Sequence, residues 1–432
     1  MTRSPHRRLG PALLLVAGIA LALAACSTQS YPNSSFTSNS DLNIDINALW
    51  DRVLIMGTAV FIFVEGLLIY VIVRYRAKPN APMPKQIHGS HTLEIVWTLI
   101  PVLILIPIAI PTVKTIFKTQ APAVADALQV EVYGHQWWWE FRYPAYGVVT
   151  ANELYLPAGK TVNFTLQTRD VLHSFWTPGL AGKRDLISNK VNHLWYTPDK
   201  TLTEGAFNGF CTEYCGSSHA NMRFRVFTVS PENFEKWAAH MKTPAAGSPA
   251  ALAAQAAADS AAKKAPKAAA MVPTPAPAPA MDAGYVFPVE KMGAHTIPRT
   301  PYPAGLTFDD NLLGQGDAAR GRALLTNPAN MGKAACLTCH VITGEQAYVN
   351  DDVARGPNLT HVASRHTFAG GLFPLDAAHL AHWIKNAEKM KPGTPMTVFG
   401  IGQYSPLMKA NVTVGLTDAE IADVVAYLLT LK

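Results

Sequence analysis

Cys211-Thr-Glu-Tyr-Cys215-Gly-Ser-Ser-His219-Ala-Asn-Met222 sets two thiols, an imidazole, a thioether and a carboxylate in one short loop. Soft thiolate and thioether ligands select copper, while imidazole suits copper or zinc. Two cysteines spaced Cys-x3-Cys can each bridge two metal ions, and two metals then need a second terminal imidazole from elsewhere. His173 can supply it. It lies in Asp170-Val-Leu-His173-Ser-Phe-Trp176, an apolar, β-prone run that carries its histidine to the edge of a sheet. The expected site has two bridging sulfurs, one histidine per copper, and two weak axial ligands, the Met222 sulfur and the Glu213 backbone carbonyl. A structural zinc site and a disulfide are the alternatives. Zinc takes four N or S ligands in closed tetrahedral geometry and gains nothing from Met222; a disulfide leaves His173, His219 and Met222 without a task.

Around this loop the sequence reads as short strands with turn signals, from Leu128 to about Lys242. Leu128-Gln-Val-Glu-Val-Tyr133, Glu153-Leu-Tyr-Leu156 before Pro157-Ala-Gly159, and Thr161-Val-Asn-Phe-Thr-Leu166 are examples, and such spacing predicts a sandwich or barrel. The loop falls between Gly205-Ala-Phe-Asn-Gly-Phe210 and Arg223-Phe-Arg-Val-Phe-Thr-Val229. Backbone therefore pins the ligands on both sides, an arrangement suited to electron transfer and useless for bond-making chemistry.

The loop, the His173 segment and Gly134-His-Gln-Trp137-Trp-Trp139 resemble the binuclear copper (CuA) domain of cytochrome c oxidase subunit II. That resemblance implies a cupredoxin-like β-barrel. It also implies that Trp137 helps pass electrons inward and that the Glu213 side chain faces a magnesium ion at the boundary with subunit I.

At 432 residues the chain suggests about three domains. Its formal charge of +6 comes without dense basic runs, which gives no support to nucleic-acid binding. Charged residues make up 15% of the chain, and its long apolar runs point to a membrane. The five cysteines divide into Cys26, Cys211 with Cys215, and Cys336 with Cys339, so no disulfide framework is needed.

Residues 1–26 read as a bacterial signal peptide: Arg3, Arg7 and Arg8 precede an apolar run from Leu13 to Leu23. Leu23-Ala-Ala-Cys26 resembles a lipobox, which makes Cys26 a lipidated N-terminus. Residues 27–46 read as a polar tether, and 47–120 as a transmembrane hairpin with apolar runs Val53–Val73 and Ile95–Ile116. Arg74, Arg76, Lys78 and Lys85 put the connecting loop in the cytoplasm, and so both ends of the hairpin and everything after Lys118 in the periplasm. Glu65 lies inside the first run. Glu94, in His91-Thr-Leu-Glu94-Ile-Val-Trp97, resembles the subunit II glutamate at the mouth of a proton pathway into subunit I. The copper domain is expected over 121–242, an Ala/Pro-rich semi-extended linker over 243–283 that lets two domains reorient, and a Pro-rich connector over 284–314.

Residues 315–432 contain Cys336-Leu-Thr-Cys339-His340, the attachment motif for c-type haem. The two thiols add to the haem vinyl groups, and His340 is placed to ligate the iron. Helix-like patterns at Gly316–Leu325 and Thr417–Leu429 resemble the first and last helices of class I cytochromes c. A thioether on the other side of the iron suits an electron carrier, and Met390, Met396 and Met408 are the candidates. Lys391-Pro-Gly-Thr-Pro-Met396 resembles the Lys-Pro-Gly-x-x-Met segment of fused cytochrome domains and selects Met396; Thr397 stands where the family usually has proline, which keeps Met408 as the other candidate. Arg355-Gly-Pro357 resembles the loop whose proline carbonyl orients the proximal histidine. His361, His366, His379 and His382 read as surface or core residues.

The expected architecture is therefore multidomain: a two-helix transmembrane hairpin, an all-β cupredoxin-like barrel and an all-α cytochrome c domain. The resemblance implies subunit II of a bacterial haem-copper oxidase of the inner membrane, with two coppers, one covalent haem c, subunits I and III as partners, and a periplasmic cytochrome c or bc complex as donor. Oxygen chemistry and most proton translocation then belong to subunit I. A free-standing membrane-tethered electron carrier is the rival, and a copper-delivery protein a third reading that leaves the haem motif unexplained.

Overall fold

The computed structural model describes residues 17–18, 20, 31, 33–79, 82–83, 85–264, 284–345 and 349–432. The rest of the expected signal segment, Cys26 and positions 265–283 of the linker lie outside the described residues.

Helices α1 (Asp41–Arg74) and α2 (His91–Gln120) are 34 and 30 residues long. At about 1.5 Å per residue each exceeds the roughly 30 Å of a bilayer core. Both expose Leu, Ile, Val and Phe side chains along their length. The sequence placed Asp41–Ile46 in a polar tether, but α1 already begins there. Ser40 caps it by accepting from Asn43 N, Asp41 Oδ1 accepts from Thr197 N at 2.9 Å, and Leu42 is buried. A capping serine and one apolar side chain suffice to dock this turn on the domain that follows.

That domain is a β-sandwich. One sheet runs β3 (Val148–Ala151), β2 (Trp138–Tyr143), β1 (Leu128–His135), β5 (Val162–Thr168), β8 (Asn192–Tyr196). The other runs β4 (Glu153–Pro157), β10 (Arg223–Val229), β9 (Glu204–Cys211), β6 (His173–Trp176), β7 (Arg184–Leu186). Alternate side chains of β1, β5 and β10 point inward. Between the sheets Phe175 stacks on Phe224 at 4.9 Å, and Trp139 meets the edge of Phe175 at 5.6 Å. Helix α3 (Pro231–Lys242) closes the sandwich with Phe234 and Trp237.

The last domain is helical, with α5 (Ala318–Thr326), α6 (Ala377–Lys385), α7 (Ala387–Met390) and α8 (Asp418–Leu428). Gly321 lets α5 cross α8 with backbones in contact, since a Cβ there would lie 1.9 Å from Asp423 O. Arg320 then grips Asp423 with Nε at 2.9 Å and Nη2 at 2.7 Å.

The linker differs from expectation. Its Ala-rich part forms α4 (Pro249–Lys264), because alanine is the best helix former even where little apolar surface is buried. Ala245 joins the cytochrome-domain core, Phe287 and Met292 of the connector join the sandwich core, and Leu306 returns to the cytochrome core. The chain thus crosses between the two domains repeatedly.

Candidate metal centre and haem site

β9 delivers Cys211 at its end, β6 delivers His173 beside it, and Phe175 pairs with Cys211 in register. The loop closes where Cys211 N donates to Met222 O at 3.1 Å, and a 3-10 turn at His219–Asn221 aims its histidine back at the cysteines. Cys211 Sγ lies 3.8 Å from Cys215 Sγ, 3.8 Å from His173 Nδ1 and 3.3 Å from Glu213 O. Cys215 Sγ lies 3.6 Å from His219 Nδ1 and 3.9 Å from Met222 Sδ. All six residues of the expected ligand set thus converge. The sulfurs are too far apart for a disulfide bond of about 2.05 Å, and a soft thiolate, thioether and imidazole set fits copper.

The electrostatics suit a cation. A hydrogen bond between the two sulfurs holds Cys211 down to about 4 and pushes Cys215 up, so one thiolate forms readily. Burial opposes a charge on His173, yet the Asp170 hydrogen bond and the Cys211 sulfur raise it.

Three supports went unread in the sequence. Asp170 Oδ1 lies 2.8 Å from His173 Nε2, and its Oδ2 accepts from Gln136 N at 2.7 Å. Gln136 Nε2 and Trp137 Nε1 both donate to Cys215 O, at 2.8 and 3.0 Å. Ser218 and Lys391 join the loop to the cytochrome domain. Only the spacing of Asp170 three residues before His173 offered a signal. Glu213 is half-buried, and Tyr214 beside it is 75% exposed.

In the helical domain Cys336 opens a 3-10 turn, and His340 N donates to Cys336 O at 3.0 Å. His340 Nδ1 bonds Pro357 O at 2.7 Å, which leaves Nε2 as the ligating nitrogen. Burial lowers the His340 pKa and keeps the ring neutral, as an iron ligand must be. Met396 packs against the domain core, Met390 is buried within it, and Met408 is 54% exposed beside a hairpin. The cysteine spacing and this histidine fit a covalent haem. His361, His366, His379 and His382 bond elsewhere: to Thr243 O, Glu153 Oε1 (through the His366 backbone), Asp376 and Ala378 O. Glu94 stands at the start of α2 with His91 Nδ1 3.7 Å away.

A membrane hairpin, a β-sandwich with a soft-ligand loop and a cytochrome-type helical domain define a membrane-anchored electron-transfer protein. Comparison with known proteins agrees. Residues 32–115 match the transmembrane domain of cytochrome c oxidase subunit II, 147–229 its periplasmic domain, and 318–432 cytochrome c. A probable cytochrome c oxidase subunit 2 of Rickettsia bellii is 31% identical over 47% of this chain and 81% of its own. The cytochrome c oxidase subunit 2 of Alkalihalophilus pseudofirmus is 38% identical over 43% of this chain. The chain spans about half the length of that relative, 55%. The periplasmic domain of subunit II of cytochrome oxidase from Bradyrhizobium japonicum is 28% identical over 28% of this chain and 96% of that one, with a TM-score of 0.26. The chain belongs to the cytochrome c oxidase subunit II family and carries a fused C-terminal cytochrome c domain. The family implies copper at the loop and haem c at the Cys336 turn.

Proposed function

We propose that this chain takes electrons from a periplasmic cytochrome c or bc complex and passes them to subunit I of a haem-copper oxidase, where oxygen is reduced with proton translocation. The convergence of His173, Cys211, Cys215, His219, Met222 and the Glu213 carbonyl carries the reading. Two coppers bound there and one haem held by Cys336 and Cys339 would each supply a reversible one-electron couple. His340 and Met396 are the axial ligands, and the Pro357 carbonyl fixes the ring of His340. The part-buried Met396 supports this assignment over the exposed Met408.

The loop, held between β9 and β10, keeps its donors in place through a redox cycle, so little reorganisation accompanies transfer. Trp137, bonded to Cys215 O, lies between the copper loop and the cytochrome domain. The Glu213 side chain serves a magnesium site facing subunit I, and Glu94 the mouth of a proton path. The functional units are the 47–120 hairpin, the 121–242 copper domain and the 315–432 haem domain, with both chain ends outside the inner membrane and subunit III completing the complex. Cys26 is lipidated.

Metal and haem analysis of the purified membrane complex tests this. Two coppers and one haem c per chain are expected, with haem of subunit I co-purifying. Cys215→Ser abolishes the copper resonance and spares the haem c spectrum; loss of both from folded protein overturns the two-site reading.

A further inference from the structure

Lys391 is 2% exposed, although lysine is among the side chains least often buried. Burial pulls its pKa down to about 7, the cost of placing an ammonium in this site. Among the described residues no carboxylate pairs with it. Its Nζ instead donates to two backbone carbonyls, Trp137 O in the copper domain and Ala369 O in the haem domain.

The next residues extend the contact. Ser218 Oγ donates to Pro392 O at 2.5 Å. Gly393, at φ +84°, lies flat against Trp137: a Cβ there would come 3.1 Å from Trp137 Cη2 and 2.9 Å from Ser217 Cβ. Trp137 in turn bonds the Cys215 carbonyl. One short path of contacts thus runs from the segment that ends in Met396 to the loop that holds Cys215. Around it Arg223 N donates to Gly370 O at 2.9 Å and Arg225 Nη2 to Gly371 O at 3.1 Å. The repeated crossing of the chain between the two cores opposes a swing of one domain on the other.

We propose that Lys391 is a positioning residue that clasps the haem domain on the copper loop in one fixed arrangement. Electrons then pass across a permanent contact beside Trp137, not by collision on a tether. Each transfer moves one electron, lost by the iron and gained by the copper pair, with no proton exchanged. The proposal rests on the two-centre reading above. A carbonyl acceptor in each domain explains why a lysine is retained here: separation would strand both acceptors, and an apolar side chain would offer neither a donor.

The test uses the full chain in its purified complex. Oxidised haem iron speeds spin relaxation of the nearby copper resonance in a distance-dependent way. The unmodified protein is expected to show one uniform enhancement; a broad spread of values overturns the proposal without any variant. Lys391→Met is expected to spread the enhancement and to slow light-triggered haem-to-copper transfer roughly tenfold, the scale of loss that misplacement by a fraction of an ångström to an ångström brings. Its haem absorption and copper resonance should stay unchanged. A Lys391→Met protein with wild-type relaxation and wild-type transfer rate refutes the clasp. Absence of the copper or haem signal from the unmodified chain would overturn the two-centre reading itself, and the clasp with it.

Discussion

His173 bonds Asp170 Oδ1 through Nε2 at 2.8 Å and turns Nδ1 toward the Cys211 sulfur, 3.8 Å away. The carboxylate therefore fixes both the tautomer and the ring plane of a metal-facing imidazole. Asp170→Ala is expected to lower copper retention about 10- to 100-fold, the usual cost of losing such a support. Copper content after dialysis against graded chelator measures it, and wild-type retention in the variant would refute the role. Asp170→Asn, which can still fix the ring with the opposite amide orientation, should lose less.

The exposure of the methionines separates the haem ligand candidates. Met396 packs on the core of its domain, while Met408 is more than half exposed. Met396→Ala is expected to abolish the methionine-to-iron charge-transfer band of the oxidised protein and to lower its potential, since a thioether raises it. Met408→Ala should leave both as they were. The reverse pattern would move the ligand to the hairpin.

What was legible was local. The copper loop carries five of its six ligands within twelve positions, and the haem motif spans five, so both could be read without knowing the fold. The terminal helices of the haem domain announced themselves through caps: Asp317 accepts from Arg320 N, and Thr417 forms a capping box with Glu420. The supports were not legible, because Asp170, Glu153 and Lys391 acquire meaning only from partners brought in by tertiary folding. The linker misled through composition: alanine and proline look alike as poor core formers, yet alanine folds into α4 and proline does not.

Glu153 tests how firmly the two domains are joined. Its side chain is buried on β4, and Oε1 accepts from His366 N at 2.8 Å, Thr367 N at 2.8 Å and Thr367 Oγ1 at 3.1 Å, all in the haem domain. Glu153→Ala strands two buried backbone donors, at about 1–3 kcal/mol each. Thermal unfolding should shift down accordingly, with Glu153→Gln losing less because it keeps one acceptor oxygen. An alanine variant that unfolds with the wild type would show that water replaces the carboxylate at no cost.

Glu140 sets an acid-sensitive limb on the copper domain. Burial opposes its ionisation, but His135 Nε2 at 3.1 Å and Arg142 together hold it below its ordinary 4.5. A carboxyl depressed in the folded state contributes stability that is fully present above about pH 4.5 and is lost as pH falls through the lower folded value. Glu140→Gln removes that contribution at every pH. The variant is therefore expected to be less stable than the wild type at pH 7 and to converge on it as the pH falls well below 4.5. Denaturant unfolding at a series of pH values, followed by near-ultraviolet circular dichroism of the Trp137–Trp139 cluster, measures the difference. A gap that stays constant down to pH 3 would mean that packing at β2, not the charge, accounts for the loss.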